Sequence, residues 1–172
     1  RRFEMSMKHI LAAGPDLLTN VQEGDSQPNA VDLRIDKIFE LKDEVFEISE
    51  EKKKHRGSVE VTPTLSKGEY YFHLKPGTYE ILMENIVNVP EGYAGWVITR
   101  STLNRNGLFI TSGLYDSGYH GVMAGCLHVE HGPAIIQKGS RVGQFLLFEA
   151  ETLSMYDGDY GIGKEHDKKY GN

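Results

Sequence analysis

Short apolar segments recur from Val31 onward, each about the length of a β-strand: 31–35, 38–41, 45–48, 59–61, 70–74, 79–83, 96–99, 108–111, 122–129, 134–136 and 142–148. Turn signals separate them, among them Lys67-Gly68, Lys75-Pro76-Gly77, Pro90-Glu91-Gly92, His131-Gly132-Pro133 and Lys138-Gly139. Many short strands at regular spacing predict a mostly β fold, a barrel or a jelly roll. Before them, residues 8–18 (KHILAAGPDLL) predict a short helix broken at Gly14-Pro15. No internal repeat divides the chain, so the pattern gives one domain over residues 1–155, with 1–7 set apart as an extension foreign to it. Residues 156–172 cannot build a core of their own and are expected to form a flexible C-terminal arm, either fraying or ordering over a ligand.

Composition narrows what such a domain can bind. At 172 residues the chain suits a single core. Its 25 acidic side chains outnumber 19 basic ones for a formal net charge of −6, which leaves no basic face for general nucleic-acid binding. A polyanionic ligand would need local arginines or a metal ion to neutralise it. The lone Cys126 permits neither an internal disulfide nor a multi-cysteine zinc site, which fits a reducing compartment. No apolar run approaches the ~18 residues of a membrane span. The expectation is a cytoplasmic protein, or an intracellular one in a host if viral, without nucleic-acid or membrane partners. The charge run 50–55 (EEKKKH) reads as a solvated loop.

Three segments concentrate the chemistry. G-W-V-I-T-R-S-T-L-N-R-N-G (95–107) sets Arg100 and Arg105 around Ser101 and Thr102 after a buried strand. Guanidinium forks, hydroxyls and backbone N–H groups together suit phosphate oxygens, although solvated arginines at a strand end are the plainer reading of the composition. I-T-S-G-L-Y-D-S-G-Y-H-G (110–121) reads as a tight turn carrying Asp116 and Tyr119. The aspartate can cap a backbone N–H or orient a water; the tyrosine can pack in the core or wall a sugar ring. In K-G-S-R-V-G-Q-F-L-L-F (138–148), Arg141 and Gln144 would face opposite sides of a regular strand. Only a bulge, which Gly143 allows, brings them together. Cys126, on an alternating strand, reads as a small core hydrophobe. The His128-Val-Glu-His131 run lacks the helix that zinc ligands at such spacing need.

With Q-P-N-A-V-D-L-R-I (27–35), these segments resemble, in order and spacing, the four motifs of the superfamily of trimeric dUTP pyrophosphatases and dCTP deaminases. The resemblance implies a dUTPase-like distorted barrel or jelly roll, acting as a homotrimer on a nucleotide bound at subunit interfaces. It implies that Asp116 holds the attacking water and that Tyr119 packs under the deoxyribose. Arg100, Ser101 and Thr102 would grip the phosphates, with Gln144 helping. Asp32 matches the acid associated, through water, with a magnesium site, making Mg2+ the implied cofactor. Arg105 and D-L-R-I are spelled as in the deaminase branch. That branch needs a glutamate ten residues past the aspartate, where this chain has Cys126, a thiol unable to shuttle the protons of deamination. Many dUTPases carry an asparagine where Ile110 stands, which leaves base recognition to the backbone around Thr111, Ser112 and Gly113. Either Tyr160 or Tyr170 would cover the base. The expected activity is hydrolysis of dUTP to dUMP and pyrophosphate by water attack on the α-phosphorus. The alternatives are dCTP deamination or a bifunctional deaminase and hydrolase, hydrolysis of dCTP or a modified pyrimidine nucleotide, and a catalytically idle nucleotide-binding regulator.

Overall fold

In the computed structural model, which describes residues 6–171, the chain enters as an edge strand β1 (Met7–Lys8) and one helical turn α1 (Ile10–Ala13). Gly14 ends that turn, so the expected helix is shorter than its segment. Of the extension set apart at 1–7, residues 1–5 lie outside the described residues. Met7 pairs with Phe148, and the Glu149 N–H donates to the Ser6 carbonyl at 2.9 Å.

The two apolar segments 31–35 and 38–41 form one strand, β2 (Val31–Leu41). Val31, Leu33, Ile35 and Ile38 are all buried in the same core, although a regular strand would send Ile38 to the other face. An irregularity in the pairing between Ile35 and Lys37 absorbs the extra residue and restores the phase. A small hairpin of β3 (Glu47–Ile48) and β4 (Lys53–Lys54) follows, then β5 (Ser58–Glu60), β6 (Thr64–Ser66), β7 (Glu69–Leu74), β8 (Gly77–Asn88) and β9 (Tyr93–Thr99). One helical turn, α2 (Ser101–Asn104), leads to β10 (Leu108–Thr111), β11 (His120–Val129), β12 (Ala134–Gln137) and β13 (Arg141–Glu149). A 3-10 turn spans His166–Tyr170.

The main sheet runs β1-β13-β2-β8-β11-β10, with β5 also on β2 and β9 also on β13; β12-β7-β6 form a second sheet. The sheets enclose one core without closing on themselves, a mostly β, jelly-roll-like domain. Ile81 and Met83 of β8, Met123 and Leu127 of β11, and Phe145 and Leu147 of β13 are almost wholly buried in it. Each side chain of this kind contributes about 1.5–3 kcal/mol by leaving water.

Because antiparallel partners share a face, the register also defines the outer side of this sheet. Phe39 of β2 lies opposite Glu80 of β8, Glu80 opposite Cys126 of β11, and Cys126 opposite Thr111 of β10. This outer row forms the floor of the site. On β11 the alternation runs unbroken through an irregularity in its pairing with β8, with Val122 and Ala124 outward and Met123, Leu127 and Val129 inward.

Residues 19–27 fold back along β2 through buried polar groups. Asp25, fully buried, takes both arms of Arg34 at 2.7 and 3.0 Å and the Gln22 N–H at 3.0 Å. Asn85, also buried, donates to the Thr19 carbonyl at 2.7 Å. Burial works to raise the Asp25 pKa, but the bonds from Arg34 and the Gln22 N–H hold it below the ordinary 3.8. A depressed carboxylate adds stability above its unfolded pKa and loses it as the pH falls through the folded value. Asp25→Asn, which strands Arg34, is therefore expected to cost about 3 kcal/mol at pH 7. Urea melts across pH should show the gap to wild type narrowing below pH 3.8.

Candidate functional site

The site residues anticipated from the sequence fall into two groups. The first gathers around Asp32, which is fully buried. Gln144 lies directly opposite Asp32 in the β13–β2 pairing and donates to its Oδ1 at 3.0 Å. Oδ2 receives Gln27 at 3.1 Å and Arg141 at 3.2 Å, with Arg100 Nε at 3.6 Å. Arg100 also donates to the Arg141 carbonyl at 3.0 Å. The pairing of β13 with β2 slips between Arg141 and Gly143, so Arg141 and Gln144 reach the same carboxylate, as the bulge reading of Gly143 requires. Two guanidiniums on one carboxylate leave a net positive charge with unused donors, a suitable grip for phosphate oxygens. Ser101, Thr102 and Arg105 stand exposed on and just after α2, which begins beside Arg100.

The second group surrounds a cavity of about 790 Å³ on the outer face of the main sheet. Thr111, Ser112 and Gly113 line it, as do Tyr119, Cys126, Tyr160 and Tyr170. Ile110, by contrast, is buried in the core and sends no side chain into the cavity. Cys126 is half-buried in the cavity wall, not in the core as its alternation suggested. The inner positions of β11 belong to Met123, Leu127 and Val129. Burial pushes the Cys126 thiol up, eased by the Thr111 hydroxyl, so it is protonated at neutral pH. A protonated thiol at this position is no proton shuttle.

The turn carrying Asp116 borders the cavity, since Tyr115 and Tyr119 on either side of it both line the wall. The Asp116 carbonyl accepts the Tyr119 N–H at 3.0 Å, and Gly118 holds φ +91° at the third position. That positive φ is the requirement of a type II turn and explains the glycine. Ser117 is buried and bonded to the Tyr93 carbonyl and to Thr152 at 2.7 Å, which fastens the turn. The Asp116 side chain is exposed and makes no hydrogen bond or ion pair among the described residues. Tyr119 is buried, its hydroxyl donating to the Val122 carbonyl at 2.9 Å and its ring against Tyr115 and Tyr156. Burial lifts both phenols, Tyr115 to about 12, so neither ionises near neutrality.

The C-terminal segment forms the outer wall of the cavity through Tyr156, Tyr160, His166, Asp167 and Tyr170. The tyrosine pair left open by the sequence separates here. Tyr170 is buried against Phe39, Leu82 and Val122, whereas the Tyr160 side chain is exposed at the cavity. The charge run 50–55 also takes part: Lys53 and His55 line the cavity, and Lys53 Nζ meets Asp159 at 2.7 Å. Sequence reasoning missed Lys53, His55, Glu80 and His166. A carboxylate inside the apolar β8 segment, T-Y-E-I-L-M, was the one signal that could have marked Glu80.

A family model described as dCTP deaminase-like matches residues 5–150. The chain is 33% identical over 147 residues to a Halobacterium salinarum protein named "Probable deoxyuridine 5'-triphosphate nucleotidohydrolase", covering 84% of this chain and 88% of that one. It is 31% identical over 143 residues to the deoxyuridine 5'-triphosphate nucleotidohydrolase of Methanocaldococcus jannaschii, covering 82% and 90%. Among solved structures, a 2'-deoxycytidine 5'-triphosphate deaminase from Agrobacterium tumefaciens matches with a TM-score of 0.65 at 15% identity. That match covers 85% of this chain and 48% of the deaminase, and the likeness is one of fold.

The C-terminal wall meets the sheet closely at Gly121. A Cβ there would stand 2.7 Å from the Tyr119 hydroxyl and 2.8 Å from the Gly161 Cα. Gly121→Ala is expected to lever the wall outward at an overpacking cost of about 1–3 kcal/mol. Trypsin should then cut at Lys164, Lys168 and Lys169 faster than in wild type while the core still melts cooperatively.

Proposed function

The chain belongs to the dCTP deaminase-like family, and within that family we propose that it hydrolyses dUTP to dUMP and pyrophosphate. The observation that carries this reading is the chemistry of the cavity floor: a neutral thiol stands opposite Thr111, where deamination would require a carboxylate. Meanwhile the arginine cluster and the exposed Asp116 are both in place for phosphoryl chemistry. The names carried by the archaeal relatives support the same activity.

The pyrimidine lies along Thr111, Ser112 and Gly113, read by backbone groups because Ile110 is committed to the core. Tyr119 packs beneath the deoxyribose, and Tyr160 covers the base from the C-terminal wall. Asp116, unencumbered by caps, takes a proton from the water that attacks the α-phosphorus. Arg100, Ser101, Thr102, Arg105 and Gln144 hold the phosphates, and the arginines neutralise the pyrophosphate as it leaves. Asp32 is a positioning group here, keeping Arg100, Arg141 and Gln144 in one cluster. Its oxygens are closed off by four side chains, so it offers a cation no direct bond. Magnesium fits this site as a companion of the triphosphate, supplying further charge neutralisation when bound.

None of Asp32, Arg100, Ser101, Thr102, Arg105, Asp116 or Gln144 lines the cavity of its own chain. The two groups become one site if the cavity of one copy faces the arginine cluster of another, which supports a homotrimer with interfacial sites. Asp116→Asn is expected to lower kcat for dUTP by at least ~100-fold, measured as pyrophosphate release. Arg100→Ala should be similarly impaired. Mixing and reassembling the two variants should restore activity, because some interfaces then combine an intact Asp116 with an intact Arg100. Turnover by Asp116→Asn near the wild-type rate, or ammonia released from dCTP by the wild type, would contradict the assignment.

A further inference from the structure

Glu80 stands at the centre of the cavity floor, yet none of the four sequence motifs contains it. It lies on β8 between Phe39 and Cys126, all three on the outer face of the sheet. Its carboxylate accepts the hydroxyl of Tyr170 and pairs with Lys169 Nζ at 3.3 Å. The Tyr170 ring is 8% exposed, buried with Phe39, Leu82 and Val122. Lys37 Nζ donates to the Tyr170 carbonyl at 3.4 Å, giving the same residue another tether.

From this anchor the contacts run outward to the substrate side. His166 Nε2 lies 3.1 Å from the Tyr170 hydroxyl, and the Tyr160 ring packs edge-on against His166 at 4.8 Å. The sequence Glu80–Tyr170–His166–Tyr160 thus links the middle of the sheet to the side chain that faces the cavity. Lys53 with Asp159 holds the same wall from the far side, but that pair is solvent-exposed and contributes little. A buried aromatic with a charge-assisted bond is the stronger attachment.

We infer that Glu80 is a positioning residue of the nucleotide site, holding the C-terminal segment on its own subunit through Tyr170 so that Tyr160 forms a wall for the base. The same two bonds occupy the carboxylate that lies opposite Cys126 and keep it from acting on the base. The inference rests on the hydrolase reading above and extends it to a residue that touches no substrate.

The test separates wall from chemistry. Glu80→Ala should raise KM for dUTP about tenfold while kcat stays within about twofold of wild type, because the reacting groups around Asp116 and Arg100 are untouched. Glu80→Gln should recover most of the loss, since its amide oxygen still accepts the Tyr170 hydroxyl, and Tyr170→Phe should resemble Glu80→Ala. Limited trypsin digestion of the same proteins, followed by mass spectrometry, should show faster cleavage at Lys164, Lys168 and Lys169 in Glu80→Ala than in Glu80→Gln. Thermal melts identify any variant whose whole fold is lost; for such a variant, Tyr170→Phe carries the comparison. An unchanged KM in Glu80→Ala despite a released segment would overturn the inference. So would a fall in kcat at constant KM, which would make Glu80 a reacting group, or a Glu80→Gln as impaired as Glu80→Ala. A wild type inert toward dUTP would instead sink the hydrolase reading, and the trypsin comparison alone would then decide whether Glu80 anchors the wall.

Discussion

A carboxylate removed from water must be met by donors on every side, and Asp32 imposes that demand on three separate pieces of this chain. Gln27 answers from the loop before β2, Gln144 and Arg141 from β13, and Arg100 from the end of β9. Satisfying it fixes the register of β13 on β2 and makes the bulge between Arg141 and Gly143 necessary. It also draws the start of α2 toward β13, since Arg100 then reaches the Arg141 carbonyl. Asp25 makes a similar demand next door and is answered by Arg34. The arginine cluster is thus a by-product of burying acid, and an acidic protein acquires a local positive patch without a basic surface.

The outer row of Phe39, Glu80, Cys126 and Thr111 follows another logic. There the floor is built from one residue per strand, and the register alone chooses them. Backbone at Thr111–Gly113 and an aromatic wall line the cavity, while the arginines stand outside it. The arginine cluster and the cavity are thus two separate groups that share no lining residue.

Legibility from sequence tracked how local each feature was. The helix stop at Gly14-Pro15, the tight turn at Asp116 and the bulge near Gly143 were readable because glycine or proline marks the backbone geometry in place. The motif spacing placed Arg100, Gln144 and Asp32 together because strand registers vary little within a fold. Glu80 was silent, since its importance comes from Cys126 lying across from it and from Tyr170, 90 positions away. Lys53 read as part of a solvated run for the same reason: its partner, Asp159, is 106 positions downstream. Cys126 was misjudged because β11 carries apolar residues on both faces, Met123 and Leu127 toward the core and Val122 and Ala124 toward Phe39, Leu82 and Tyr170, so alternation alone does not say which face is which.

The alternation on β11 has a further consequence for how such a protein can diversify. Along β11, Met123, Leu127 and Val129 serve the core while Val122, Ala124, Cys126 and His128 share the outer face. Structural and chemical duties are therefore interleaved residue by residue but not mixed. A single codon change at an outward position can replace a thiol by an acid, or the reverse, and leave the packing that sustains folding untouched. One strand can then serve as an exchangeable cassette on a single scaffold.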